Sequence, residues 1–231
     1  MTRLKPKQKE TLPFKLLAMI SHDIKIPLDN FAAYLADLPM SKPLQTGGDE
    51  IVEGLTSYVN SCRSLMDNVL FWARLHLNGY GIISQPALLR LQTDLIILSL
   101  KHQALSKRLN ISNKIPEMPQ VKINLSVFEF VLRNLLNNSI KFTPASGHIE
   151  IRSRTGRDSI TVSVSDSGPG ISADKLERIF SARKAISSSV NGSGIGLILC
   201  NDLLNICGGR IWSESTEGKG ATFHFSIPAE Y

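Results

Sequence analysis

The residues able to do chemistry fall into a few short clusters. The first is Ser21-His22-Asp23-Ile24-Lys25-Ile26-Pro27-Leu28, a histidine with an acid beside it. An imidazole nitrogen can act as a nucleophile, and an adjacent carboxylate can orient the ring or take up its proton. Taken alone, such a histidine is most simply surface decoration on a helix. The second cluster places Asn134, Asn138 and Lys141 at i, i+4 and i+7, on one face of one helix. Neutral amide oxygens with a nearby ammonium suit a Mg²⁺-polyphosphate, because Mg²⁺ takes oxygen ligands and a lysine neutralises phosphate oxygens. The plainer alternative is the polar outer face of an amphipathic helix. Third comes Asp166-Ser-Gly168-Pro-Gly170, directly after a strand-like run. An acid there can accept a hydrogen bond from an exocyclic amine, and the glycines let a flat base approach. Fourth is Gly192-Ser-Gly194-Ile-Gly196, opening a helical run, where backbone N–H groups can face phosphate oxygens. Each glycine cluster by itself marks a turn as readily as a ligand site. No βαβ unit surrounds either one, which excludes a dinucleotide fold, and the GxxxxGK[ST] phosphate loop is absent.

These residues must be held by elements that the hydrophobic pattern delimits. Leu17, Ile20, Ile24, Leu28, Phe31, Leu35 and Leu38 recur at three-four spacing, predicting a helix over 11–38 with His22 and Asp23 off its buried seam. Pro27 is expected to kink it. Two prolines and a Gly-Gly pair make 39–48 a loop, and a second helix is expected over 49–76. A two-helix hairpin leaves apolar flanks, so two hairpins are expected to pair into a homodimeric four-helix bundle, the alternative being a monomeric hairpin packed on the chain's own second half. Asn78-Gly-Tyr-Gly81 and Pro86 mark a boundary between domains at 1–80 and 86–231. Beyond it the pattern predicts a strand at 88–91, a helix over 93–108 capped by Thr93, and one or two short strands within 109–124. A strong helix over 126–142 follows, then strands at 148–154 and 159–166. The remaining expectations are helices at 173–180 and 195–207 and strands at 210–214 and 221–227. Helices and strands mix without strict alternation, so the fold class is an α+β sandwich after an N-terminal helical hairpin.

Composition sets outer limits. At 231 residues, with 42% hydrophobic and 20% charged, the chain can build one large or two small cores. The net charge of +6 is scattered and not interleaved with aromatics, so nucleic acid is not an expected partner. No apolar run suggests a membrane span, and the basic start lacks the apolar core of a signal peptide. Cys62, Cys200 and Cys207 have no metal or redox spacing and read as reduced core thiols. A cytoplasmic location is expected.

The order of the clusters resembles the catalytic core of two-component sensor histidine kinases over roughly residues 11–228. The His22 stretch is similar to the family's phosphoacceptor box, Asn134 to Lys141 to its N box, and the Asp166 and Gly192 clusters to its two glycine boxes. The resemblance implies that residues 11–76 are a dimerisation and phosphotransfer domain. It also implies that the second domain is an α/β sandwich ATPase of the gyrase, chaperone and histidine-kinase type. The cofactors implied are ATP and Mg²⁺. His22 would be the phosphoacceptor, with Asp23 assisting. Asn138 would be the metal ligand, Asn134 and Lys141 would lie at the phosphates, and Asp166 with Gly168 and Gly170 at the adenine. Gly192, Gly194 and Gly196 would border the phosphates at the foot of a lid that begins near Arg183 and Lys184. The implied partner is a response-regulator receiver domain, with any membrane link only through a sensor region that this chain does not contain. The chain departs from the family pattern at Phe180, where the usual second aromatic nearby is missing, and at three further positions. Ser139 stands where Ala is usual, a change expected to be tolerated. Ala221 stands where Thr or Ser is common, so that one polar contact near the adenine is expected either to be lost or to be supplied by Thr222. Ile26 stands four residues after His22, where strong phosphatases carry Thr or Asn. A scaffold with a dead nucleotide site is one competing class, which the presence of all the main motif residues argues against; a gyrase- or chaperone-like ATPase without a phosphoacceptor is the other. It usually needs a glutamate on the Asn helix, and Glu129 lies nine residues before Asn138, away from that place.

Overall fold

The computed structural model describes residues 59, 63, 66–73, 83–117, 120–176, 179 and 195–230. The hairpin and bundle expected over 11–76 lie outside the described residues, except that 59, 63 and 66–73 are helical. His22, Asp23, Ile26, Arg183, Lys184, Gly192 and Gly194 lie outside them too.

Strand β1 spans Gln85–Ala87, helix α1 Leu89–Ser99, helix α2 Lys101–Ser106, and strand β2 Asn110–Asn113. Strand β3 (Val121–Ile123) leads to helix α3 (Leu125–Phe142), then strands β4 (His148–Thr155) and β5 (Ser159–Asp166). Helix α4 (Ala173–Leu176), helix α5 (Ile195–Ile206), and strands β6 (Arg210–Ser215) and β7 (Ala221–Pro228) complete the order. The main sheet runs β2-β4-β5-β7-β6, with β2 parallel to β4 and every other pair antiparallel. β1 and β3 form a separate antiparallel pair. Glu230 is stitched to it by reciprocal backbone hydrogen bonds with Lys122.

Period-two alternation decides which face of the sheet is covered. Ile149 and Ile151, Ile160, Val162 and Val164, and Phe223, Phe225 and Ile227 are buried. Helices α1, α3 and α5 lie against this sheet. The register sets Ile151 opposite Val164 and Val162 opposite Phe225, so the apolar cross-strand pairs meet in rows. The intervening residues are polar: Ser165 bonds Thr222 at 2.9 Å and Ser163 bonds His224 at 2.8 Å. Burial holds the His224 ring below its ordinary pKa. Cys200 is buried in α5 and Cys207 is half-buried, and burial pushes both thiols upward, consistent with inert core cysteines.

Between 83 and 108 the sequence reading needs correction. The strand expected at 88–91 is instead Gln85–Ala87, and Thr93 does not cap a helix but is buried four residues inside α1. A short leucine run carries no period of its own, and tertiary burial selects the helix. Leu89, Thr93, Ile96, Leu100 and Ala104 face inward at helical spacing while Leu88, Leu91, Leu95 and Leu98 face out. Elsewhere the strands and helices fall within a residue or two of their expected ends, except that of the helix expected over 173–180 the described residues hold Ala173–Leu176, with 179 in a turn.

Candidate functional site

Helix α3 is the site's foundation. Asn124 caps it, its side-chain oxygen accepting the Val127 N–H at 3.1 Å. Val127, Phe128, Val131, Leu132, Leu135 and Leu136 bury one broad stripe. At the other end, the Lys107 ammonium donates to the carbonyls of Ile140, Lys141 and Thr143 at 2.9, 2.7 and 3.2 Å. A cation there satisfies terminal carbonyls and complements the negative end of the helix dipole. No sequence signal pointed to Lys107, because it lies more than thirty residues from the groups it binds.

The polar residues of α3 have different surroundings. Asn134 is only 9% exposed. Its amide nitrogen donates to the Phe130 carbonyl at 2.9 Å and to Asn68 Oδ1 at 3.3 Å, while its oxygen accepts from Asn68 Nδ2 at 3.2 Å. Asn134 thus sits against the helical segment 66–73, and contact with a phosphate requires the reciprocal amide pair to open. That segment is anchored on both sides. Phe71 stacks on Phe130 with centroids 4.6 Å apart, and Trp72 donates its indole N–H to Asp202 of α5 at 2.7 Å. Asn138 is half-buried one turn further along α3, and Lys141 is exposed. Partial burial lowers the Lys141 pKa, and its ammonium lies 5.5 Å from the Phe142 ring centroid.

Asp166 ends β5 beside α3. One carboxylate oxygen accepts the Gly168 N–H at 2.9 Å, and the other accepts the Ser139 hydroxyl at 3.4 Å. Burial pushes this carboxyl above the usual range; the Gly168 and Ala221 N–H groups, the Ser139 hydroxyl and the charge of His148 pull the other way. Ser139 is therefore more than a tolerated replacement for Ala: it is buried and bound to the acid. Thr222 cannot replace a contact at Asp166. The register pairs Asp166 with Ala221, so the next residue points to the opposite face, where Thr222 bonds Ser165.

The described glycines have a packing reason of their own, beside the ligand roles read off the sequence. A Cβ on Gly168 would lie 2.7 Å from Asp166 Oδ1, and one on Gly220 would lie 2.0 Å from the Asp166 carbonyl oxygen. Gly170 has φ +73° and a Cβ there would meet the Thr216 carbonyl at 2.2 Å. These residues close the turns that wrap Asp166. Gly196, in the first turn of α5, faces Asn134, whose Oδ1 would sit 2.6 Å from an added Cβ.

The donor set fits a purine nucleotide. A half-buried carboxylate, fixed by a hydroxyl and a backbone amide, can accept from an exocyclic amine. The amide of Asn138 on the adjoining helix is a neutral oxygen donor of the kind that serves phosphate-bound Mg²⁺.

Residues 124–231 match the family model described as histidine kinase-, DNA gyrase B- and HSP90-like ATPase. The adaptive-response sensory kinase SasA of Synechococcus sp. (strain JA-2-3B'a(2-13)) is 33% identical over 239 residues, covering 95% of this chain and 61% of that protein. The non-motile and phage-resistance protein of Caulobacter vibrioides is 25% identical over 229 residues, covering 94% of this chain and 27% of its own length. The chain therefore spans about three-fifths or less of these relatives. Among solved structures, the catalytic domain of histidine kinase ThkA is 27% identical, with a TM-score of 0.54 over 63% of this chain and 95% of that one. ThkA in complex with the response regulator protein TrrA shares the fold over 93% of this chain and 61% of that one, at 21% identity and a TM-score of 0.67.

Proposed function

We propose, from the premise that this chain carries a sensor histidine kinase catalytic region whose residues 124–231 are an ATPase domain of the histidine kinase, gyrase B and HSP90-like family, that it phosphorylates its own His22 from ATP and passes the phosphoryl group to an aspartate of a response-regulator receiver domain. The observation that carries this reading is the Asp166 carboxylate. It is held by Ser139 and Gly168 at the end of β5, next to the asparagine face of α3, where an adenine amine would be recognised.

In this reading residues 1–80 form the dimeric phosphotransfer domain and residues 86–231 the nucleotide-binding domain. Asp166 accepts from the base. Asn138 supplies an oxygen toward Mg²⁺, and Lys141 and Asn134 approach the phosphates, the latter on release from Asn68. Gly168, Gly170, Gly192, Gly194 and Gly196 shape the walls. Mg²⁺ held through the Asn138 oxygen would supply positive charge against the transferred group. A neutral ring nitrogen of His22 attacks the γ-phosphorus in line; the N–P bond forms as the bond to ADP breaks, and Asp23 takes or orients the ring proton. A receiver aspartate then displaces the histidine. ThkA, the protein solved with its regulator, is a precedent for such a partner in words only, since its likeness at that identity concerns the fold.

The test is incubation with ATP labelled at the γ-phosphate. Label that is acid-labile and alkali-stable, and absent from His22→Ala while nucleotide affinity is retained, is the expected result. Label persisting in that form on His22→Ala would refute the assignment.

A further inference from the structure

One helical face of the described fold is apolar and open. α1 and α2 bury Leu89, Thr93, Ile96, Leu100 and Ala104. On the opposite side Leu88, Leu91, Leu95, Leu98 and Leu105 are exposed, from 39% at Leu88 to 62% at Leu98. With His102 they succeed one another at alternating steps of three and four residues, the seam that one helix presents to another. A single exposed leucine is ordinary; five in helical register are not. Leu100 interrupts the hydrogen-bond ladder between α1 and α2, but the Ala104 N–H still reaches the Leu100 carbonyl at 3.1 Å. A groove along the seam's edge, lined by Asp94, Leu98, Lys101 and Leu105 together with Ile97, Ala104 and Leu109, runs past the break and joins Leu98 of α1 to Leu105 of α2.

The charges beside the seam select the occupant. Asp94 precedes Leu95 by one residue, and Lys101 follows Leu98 by three, so both flank the same edge. Asn113 donates to Asp94 Oδ1 at 2.7 Å and holds the carboxylate on the groove rim. If an identical helix packs antiparallel, Leu95 of one copy lies against Leu98 of the other. The same register sets Leu88 against Leu105 and Leu91 against His102, and it brings each Asp94 beside the other copy's Lys101. A parallel pairing instead sets Asp94 near Ser99 and Lys101 near Ser106, with no charge pair. The surface is complementary to itself under a two-fold axis and in one direction only.

We propose that this face is a self-association surface on which α1 and α2 of a second copy of the chain pack antiparallel, distinct from the hairpin expected over 11–76. It places two ATPase domains back to back through a leucine seam flanked by reciprocal Asp94–Lys101 pairs.

Cysteine crosslinking of the full chain tests it. A chain carrying both Asp94→Cys and Lys101→Cys, in a Cys62→Ser, Cys207→Ser background, is expected to form an interchain disulfide under mild oxidation. Chains with either substitution alone are expected to form little, because the two-fold keeps like positions apart. Adding Leu98→Glu should slow crosslinking at least about tenfold, the scale of one lost apolar contact at an interface centre. Because Leu98 is exposed, the circular dichroism spectrum and thermal midpoint should stay unchanged. Crosslinking no faster in the double variant than in the single ones, or equally fast with Leu98→Glu, overturns the proposal. So does a folded double variant that remains uncrosslinked, the outcome expected if a different helical partner occupies the seam.

Discussion

Replacing Asp166 by Asn should weaken ATP binding while leaving the fold as stable or more so. The two side chains have nearly the same shape. Asn can keep its oxygen toward the Gly168 N–H, and the Ser139 hydroxyl can turn to accept from the new amide nitrogen. What is lost is the negative acceptor. A hydrogen bond to a charged group contributes about 1.5–3 kcal/mol, so ATP affinity should fall roughly ten- to 150-fold. The fold responds in the other direction. Burial outweighs the Gly168, Ala221, Ser139 and His148 interactions and raises the Asp166 pKa, so the ionised carboxylate is less favourable in the folded chain than in the unfolded one. At neutral pH that cost is fully present. As pH falls through the raised folded value, the folded chain takes up a proton first and the cost is relieved, until the unfolded chain is protonated as well near the ordinary carboxylate pKa. The stability advantage of Asp166→Asn should therefore be largest at neutral pH and shrink on acidification over that window. Calorimetric titration with ATP and GTP, paired with thermal melts at neutral and mildly acidic pH, measures both halves. Unchanged ATP affinity, or a clear drop in the neutral-pH midpoint, would refute the reasoning.

Other perturbations act on neighbouring contacts. Gly196→Ala drives a Cβ to 2.6 Å from Asn134 Oδ1, so overpacking should cost about 1–3 kcal/mol unless the amide pair with Asn68 opens; the urea midpoint measures the cost. Lys107→Ala strips three carbonyls at the end of α3 of their donor and should lower stability by about 1–2 kcal/mol, with added salt changing the variant less than the parent. Ile26→Thr introduces a hydroxyl four residues after His22; on the helix expected there, and with His22 as the proposed phosphoacceptor, it would hold an attacking water and should speed decay of a purified phospho-regulator. Rapid decay with the unsubstituted chain would overturn that expectation.

Much of the second half was legible in the sequence because its information is local. Periods of two and of 3.6 outline β4, β5, β7 and α3 to within a residue or two of their observed ends. An acid that ends an alternating run beside two glycines announces a strand terminus with a turn behind it, and Asp166 is there. The leucine-rich stretch after Pro86 failed for the same reason that the others succeeded. Leu88-Leu89-Arg90-Leu91 is too short to show a period by itself, and the helix it opens carries leucines on both its buried and its exposed side, so no polar face marks it as a helix. Only the tertiary structure could bring Ser139 to Asp166 across 27 residues, Lys107 to the end of α3 across more than thirty, and Asn68 to Asn134 across 66. It also turned the expected role of Thr222 around, since strand register and not composition decides which of two adjacent residues faces the acid. Such contacts leave no trace in sequence spacing, because they are set by the packing of whole elements on one another. A slip of one residue in β7 would exchange Ala221 for Thr222 beside Asp166 without changing the alternating pattern by which the strand is read.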